Sequence, residues 1–353
     1  MSKIRKSSED IRTFILAHIS EPGIAKRVMD TFGITRQAAN RHLKSLTGQG
    51  SLVPEGKTRK RSYKIAPVAK QVFSYEITRT LAEDVVWRND IEPLLRGLPD
   101  NVMVIWNYAF TEMFNNAIDH SAGTSISVIV TTTAVDTEIY ISDDGVGIFK
   151  KIQDALKLPD EKQAIFELSK GKLTTDSENH SGQGIFFTSR MVNEFDVLSG
   201  GVYFGHKRGR EHDLMVDRED ATRGGTAIFL KVDNHTSRTV QKVYAQYSVA
   251  GSYGFNKTVV PVKLAKYGTD QLISRSQAKR VLVRVDQFAQ VIFDFEGIDM
   301  IGQAFADQIF RVFASEHPSV DLIPSHANAE IMGLIQSVIK SGRPGFKGEL
   351  PPS

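Results

Sequence analysis

The apolar positions change period along the chain, and each change marks an element. Phe110, Met113, Phe114, Ala117 and Ile118 recur at the spacing of one buried helical face, which puts Glu112 and Asn116 together on the other. The alternating run 137–142 reads as a strand ending at Asp143, the apolar run 185–192 as a helix, and 227–232 as a second strand. Upstream, Ile11, Phe14, Ile15 and Ile19 keep helical spacing behind Ser8-Glu9-Asp10, and Ala25, Val28 and Met29 mark a second helix. A third runs over 36–46 from Thr35 with Ala38, Ala39, Leu43 and Leu46 inward, followed by two short strands at 51–53 and 63–65. Val72, Ile77, Leu81, Val85, Val86, Leu94 and Leu95 predict connecting helices across 67–100. Beyond a linker at 233–254, strands at 258–264, 290–296 and 320–323 alternate with helices at 274–285, 301–313 and 327–340, and 346–353 is a tail. The fold class is therefore α+β and multidomain.

Four polar clusters interrupt these elements in a fixed order. A carboxylate and an amide one helical turn apart, Glu112 and Asn116, can reach the same bound phosphate chain, the amide oxygen to coordinate Mg²⁺ and the carboxylate to orient or deprotonate a nucleophile. Asp143 stands where a strand turns, with Gly145 and Gly147 letting backbone approach a ligand, and its carboxylate can accept from an adenine amino group. Ser181, Gly182 and Gly184 precede the 185–192 helix, whose N-terminus suits phosphate. Thr226 opens the last strand, where its hydroxyl can support Asp143 or a water beside the base. Lys170 and Lys172 are candidates for neutralising phosphate charge, His120 for contacting phosphate, and Asp144 is expected to face solvent.

Taken in order, these clusters resemble the GHKL superfamily of ATP-binding domains, shared by gyrase, MutL, heat-shock chaperones of that fold and histidine kinases. The match covers about residues 101–232. The resemblance implies a two-layer α/β sandwich binding ATP and Mg²⁺, with Glu112 as catalytic base, Asn116 on the metal, Asp143, Gly145 and Gly147 on the adenine side, Gly182 and Gly184 on the phosphate side, and Thr226 last. The segment 172–176 leading to Ser181 looks most like the lid of serine kinases that act as anti-sigma factors, which adds Lys172, Thr174 and Ser181 to the nucleotide contacts. An ordinary sensor kinase is rejected, because no histidine lies between His42 and His120 and His212 falls inside the nucleotide domain.

Charge separates the first 66 residues from the rest. They hold 14 Lys or Arg against 5 Asp or Glu, whereas residues 67–353 hold 30 against 36. The third helix offers Arg36, Gln37, Asn40, Arg41 and Lys44 as donors for base edges and phosphates, and Lys57, Arg59, Lys60 and Arg61 crowd the tip between the two strands. This part resembles a winged helix-turn-helix, which implies double-stranded DNA as partner. Residues 255–345 resemble the STAS-like domains related to anti-sigma-factor antagonists. The chain departs from them where the 301–313 helix begins: Gly302, Gln303 and Ala304 carry no hydroxyl, which rules out phosphorylation there. Such a domain docks a protein partner or the nucleotide domain.

Absence of cysteine excludes disulfides, thiol catalysis and cysteine-ligated zinc. No apolar run approaches the roughly 20 residues needed to span a bilayer, and the start lacks the apolar core of a signal peptide, so no membrane partner and a cytoplasmic location are expected. The expectation is a bacterial DNA-binding regulator switched by Mg-ATP binding or hydrolysis, with a homodimer as a candidate assembly. The alternatives are a serine/threonine protein kinase acting on an external protein and a nucleotide-sensing scaffold that does not hydrolyse.

Overall fold

The computed structural model describes residues 8–19, 21–56, 62–173, 182–208, 214–217, 224–249, 254–266 and 271–342. Three helices, α1 (Ser8–Ala17), α2 (Ile24–Phe32) and α3 (Arg36–Gly48), pack Ile15, Val28, Ala39, Leu43 and Leu46 into a small core of their own. The Thr35 side chain caps α3 by accepting from Ala38 N at 3.2 Å. The antiparallel pair β1 (Leu52–Glu55) and β2 (Ser62–Ile65) follows, with Leu52 closing the core.

Only Ala66 separates β2 from β3 (Pro67–Glu76), which pairs antiparallel with β4 (Ser125–Thr133) at the edge of a seven-stranded sheet. Its order is β3-β4-β5-β9-β6-β7-β8, with β5 Asp136–Asp143, β6 Glu194–Ser199, β7 Val202–Lys207, β8 Leu214–Asp217 and β9 Thr226–Asp233. The helical connector expected over 67–100 is thus corrected: its first ten residues are an edge strand of the seven-stranded sheet. The rest is α4 (Glu83–Val86) and α5 (Glu92–Leu95), joined by a π-helical turn, which bury Val86, Trp87, Ile91 and Leu95 in the same core as α6 (Asp100–His120).

One face of the sheet is apolar in register. Val128 pairs with Ile141 and Val130 with Ile139, these with Ile228 and Leu230, and these with Val197 and Phe195. On that side lie α6, α7 (Ile148–Leu156), α8 (Glu161–Lys170) and α9 (Gly184–Met191), whereas Tyr140 on the other face is 37 % exposed. The linker expected at 233–254 also contains structure, α10 (Val240–Gln246), capped by Thr239 and packed on α6 and α9.

The C-terminal unit is a parallel sheet, β10 (Lys257–Pro261), β11 (Gln290–Asp294) and β12 (Asp321–Ser325), in that order. Around it lie α11 (Arg275–Leu282), α12 (Gln303–Asp307) continued by a π-helical turn into α13 (Ala314–Glu316), and α14 (Ala329–Gly342). A capping box joins Ser274 and Gln277 at the start of α11. Gly302 caps α12 with no room for a side chain, since a Cβ there would stand 2.6 Å from Ile273 Cα. Its core, including Phe293, Phe295, Phe305 and Ile335, is continuous with that of the seven-stranded sheet and its helices. No helix among the described residues is long and apolar enough to cross a membrane.

Candidate functional site

A cavity of about 320 Å³ opens between α6 and the ends of β5 and β9. Helix α6 buries Phe110, Met113, Phe114 and Ala117 and so turns Glu112, Asn116 and His120 to the cavity wall. Asp143, Thr226, Gly182 and Gly184 line the same cavity, so residues separated by up to 114 positions in sequence meet there.

Asp143 is positioned by backbone. Its Oδ1 accepts from Gly145 N at 2.9 Å and from Thr226 N at 3.2 Å. Burial pushes its carboxyl above the usual range, and those two amides oppose the shift. Around it the lining is apolar: Ile141, its cross-strand partner Ile228, and Ile148. Thr226 supports Asp143 through its amide rather than through its hydroxyl, which accepts from Ile148 N at 2.9 Å and fixes the start of α7. Asp144 is exposed, as expected, and is also held in place. It accepts from the amides and hydroxyls of Thr124 and Ser125, which hold its carboxyl well below the usual range and tie the turn to the start of β4.

The glycines explain themselves by close approach. A Cβ at Gly145 would overlap the backbone oxygen of Ser121, and one at Gly184 would displace the Glu112 carboxylate from its place against the start of α9. Gly147 (φ 90) turns the chain into α7 with no space for a side chain against Ser199. Gly182 (φ 65) packs against Leu173, whose amide donates to Gly182 O at 3.0 Å.

The lysines correct the sequence reading. Lys170 is fully buried and bonds Glu167 Oε1 and Val283 O, and Lys172 donates to Gln287 O at 2.6 Å with its ammonium over the Phe288 ring. Both are committed to the C-terminal unit and neither lines the cavity. Lys151, which sequence reasoning missed, does line it, one turn into α7 and anchored by donation to His120 O at 2.9 Å. Its signal was its place four residues after Gly147, on the helix that the Asp-x-Gly-x-Gly turn starts.

In the N-terminal unit Arg36, Gln37, Asn40, Arg41 and Lys44 form an exposed stripe of α3 along a groove that also takes in Lys26 and Lys64. Lys57, Arg59, Lys60, Arg61, Thr174, Ser181 and His212 lie outside the described residues.

The donor set fits a purine nucleotide: a held carboxylate in an apolar slot for the base, and a glycine-flanked helix start, an amide and a lysine for an anionic chain. Residues 106–236 match the family model of histidine kinase-, DNA gyrase B- and HSP90-like ATPases, and residues 277–332 match that of a STAS-like domain of unknown function. The chain thus carries an ATPase domain of the GHKL kind followed by a STAS-like domain, a pairing that suggests nucleotide-dependent regulation. No curated protein matches the chain.

Proposed function

We propose that the protein is a DNA-binding regulator whose DNA affinity is set by Mg-ATP in the cavity under α6. The observation that carries the nucleotide half is the convergence of Glu112, Asn116, Asp143, Thr226, Gly182 and Gly184 on one cavity. Asp143, held by two amides, accepts a hydrogen bond from the exocyclic amino group of adenine, and Ile141, Ile148 and Ile228 bury the ring. Asn116 supplies an amide oxygen to the metal, and Lys151 brings positive charge to a wall that also holds the carboxylates of Glu83, Glu112 and Asp143. Bound Mg-ATP supplies an activated phosphoryl group. Glu112 then orients a water or hydroxyl and takes up its proton at the carboxylate.

The DNA half rests on the exposed polar stripe of α3 and on the basic N-terminal segment. Three helices with a following antiparallel pair support a winged-helix reading, in which α3 enters the major groove and the 57–61 tip meets phosphates. Coupling has a short path, since one residue links β2 to β3 and β3 belongs to the nucleotide domain's sheet.

The test is a pair of titrations on the purified chain. Mg-ATP binds wild type about 100-fold more tightly than Asp143→Asn, and duplex DNA binds with an affinity that falls with salt and on Arg41→Ala. Equal nucleotide affinity in both forms contradicts the site assignment, and salt-independent DNA binding contradicts the DNA assignment. The fate of γ-labelled ATP separates hydrolysis, label free as phosphate, from transfer to an added cell-extract protein.

A further inference from the structure

The C-terminal end of α8 is where the two α/β units grip each other. Glu167 and Lys170 are each 0 % exposed. Lys170 Nζ donates to Glu167 Oε1 at 2.8 Å and to Val283 O at 2.9 Å, and the Lys170 carbonyl accepts from Thr258 Oγ1 at 2.6 Å. Arg284, in the left-handed region (φ 61) just after α11, extends from the STAS-like domain into this joint. Its Nη2 donates to Gly171 O at 3.1 Å and to Lys172 O, while its Nη1 stands 3.6 Å from Glu167 Oε2.

Physical chemistry explains the choice of residue. Acceptors at the end of a helix have no partner within it, and the negative end of the helix dipole favours a cation. A planar guanidinium holds its donors in a rigid fork, so one nitrogen serves two carbonyls while the other faces a carboxylate, a geometry that the point-like ammonium does not fix. The next link leads to the cavity. Leu173 follows directly, its amide bonds Gly182 O, and Leu168, Leu173 and Gly182 all line the wall.

We infer that Arg284 is a positioning residue for the nucleotide cavity. Through the carbonyls of Gly171 and Lys172, the STAS-like domain fixes the backbone that carries Leu173 and, by its hydrogen bond, Gly182. Cavity occupancy and STAS-domain docking are then coupled, and the coupling acts equally in both directions. The inference rests on reading the cavity as a nucleotide site.

Calorimetric titration of the full chain with Mg²⁺ and a non-hydrolysable ATP analogue tests it. Arg284→Ala weakens binding about tenfold, and Arg284→Lys, which keeps the charge and loses the fork, about threefold. Ile331→Ala removes a buried side chain from α14, lowers the melting temperature and leaves the affinity within about twofold of wild type at a temperature where all variants are folded. Wild-type affinity in Arg284→Ala overturns the inference, as does an equal loss in Ile331→Ala, which assigns the effect to general destabilisation. Should Arg284→Ala fail to fold, Arg284→Lys decides, and an affinity equal to wild type overturns the inference. A wild type that binds no analogue overturns the site reading itself, an outcome visible before any substitution.

Discussion

The N-terminal unit and the two units that follow it are joined in different ways. Among the described residues, the buried side chains from Ile11 to Leu52 form a core distinct from the one the two later units share, and a single residue, Ala66, joins β2 to β3. The ATPase and STAS-like domains instead share one continuous core, closed by Phe255, whose ring lies 4.7–5.3 Å from those of Phe186, Phe187 and Phe288. The difference teaches where a signal can travel. On the proposed reading, a change at the cavity meets the STAS-like domain through packed side chains, whereas among the described residues the chain connection to the DNA-binding candidate runs through Ala66 and β3.

The largest break in this contrast is Phe255→Ala. It costs about 3–5 kcal/mol and lowers a single transition that includes both fused domains, while a transition of the N-terminal unit is unmoved in calorimetry. Leu43→Ala, at 1 % exposure, costs about 2–5 kcal/mol and has the reverse pattern: DNA binding is lost and Mg-ATP affinity is retained. Equal responses of all three units to either substitution dissolve the distinction.

Asp143→Asn sharpens the contrast without breaking a core. Nucleotide affinity falls about 100-fold, while the amide oxygen can keep both backbone hydrogen bonds. Because burial raises the folded carboxyl's pKa above its unfolded value, the ionised aspartate opposes folding at neutral pH. The variant is therefore at least as stable as wild type at pH 7, and its advantage shrinks as pH falls through the raised pKa, which a melting series read against pH reveals. The smallest effect is Thr35→Ala. Loss of the α3 cap costs about 1 kcal/mol, confined to the N-terminal transition, and DNA affinity drops only in proportion to unfolding.

How much was legible in the sequence follows the same division between local and distant causes. Glu112 and Asn116 were readable because helical period alone puts them on one face, and Asp143 because a strand ending in Asp-x-Gly-x-Gly is a local signal. Strand β3 was missed because it is an edge: six of its first seven positions are exposed and the seventh, Phe73, is half-buried, so no alternation marks a buried face. Lys170 and Lys172 were misplaced because their partners, Val283 and Gln287, lie 113 and 115 positions away, and nothing in the local pattern announces a second domain at that helix end. Asp144 faces solvent as expected, but its partners were not legible for a related reason: Thr124 and Ser125, at the start of β4, lie about 20 residues upstream. Arg284 was invisible for want of any motif, since its role depends on where two helix-end carbonyls come to lie.

The central claim is that occupancy of this cavity changes how the chain holds DNA. Its most direct test is DNA affinity at fixed salt, with and without Mg²⁺ and a non-hydrolysable ATP analogue, in wild type and Asp143→Asn. The account predicts a shift of about fivefold or more in wild type and none in the variant. Equal affinity with and without nucleotide in wild type contradicts it.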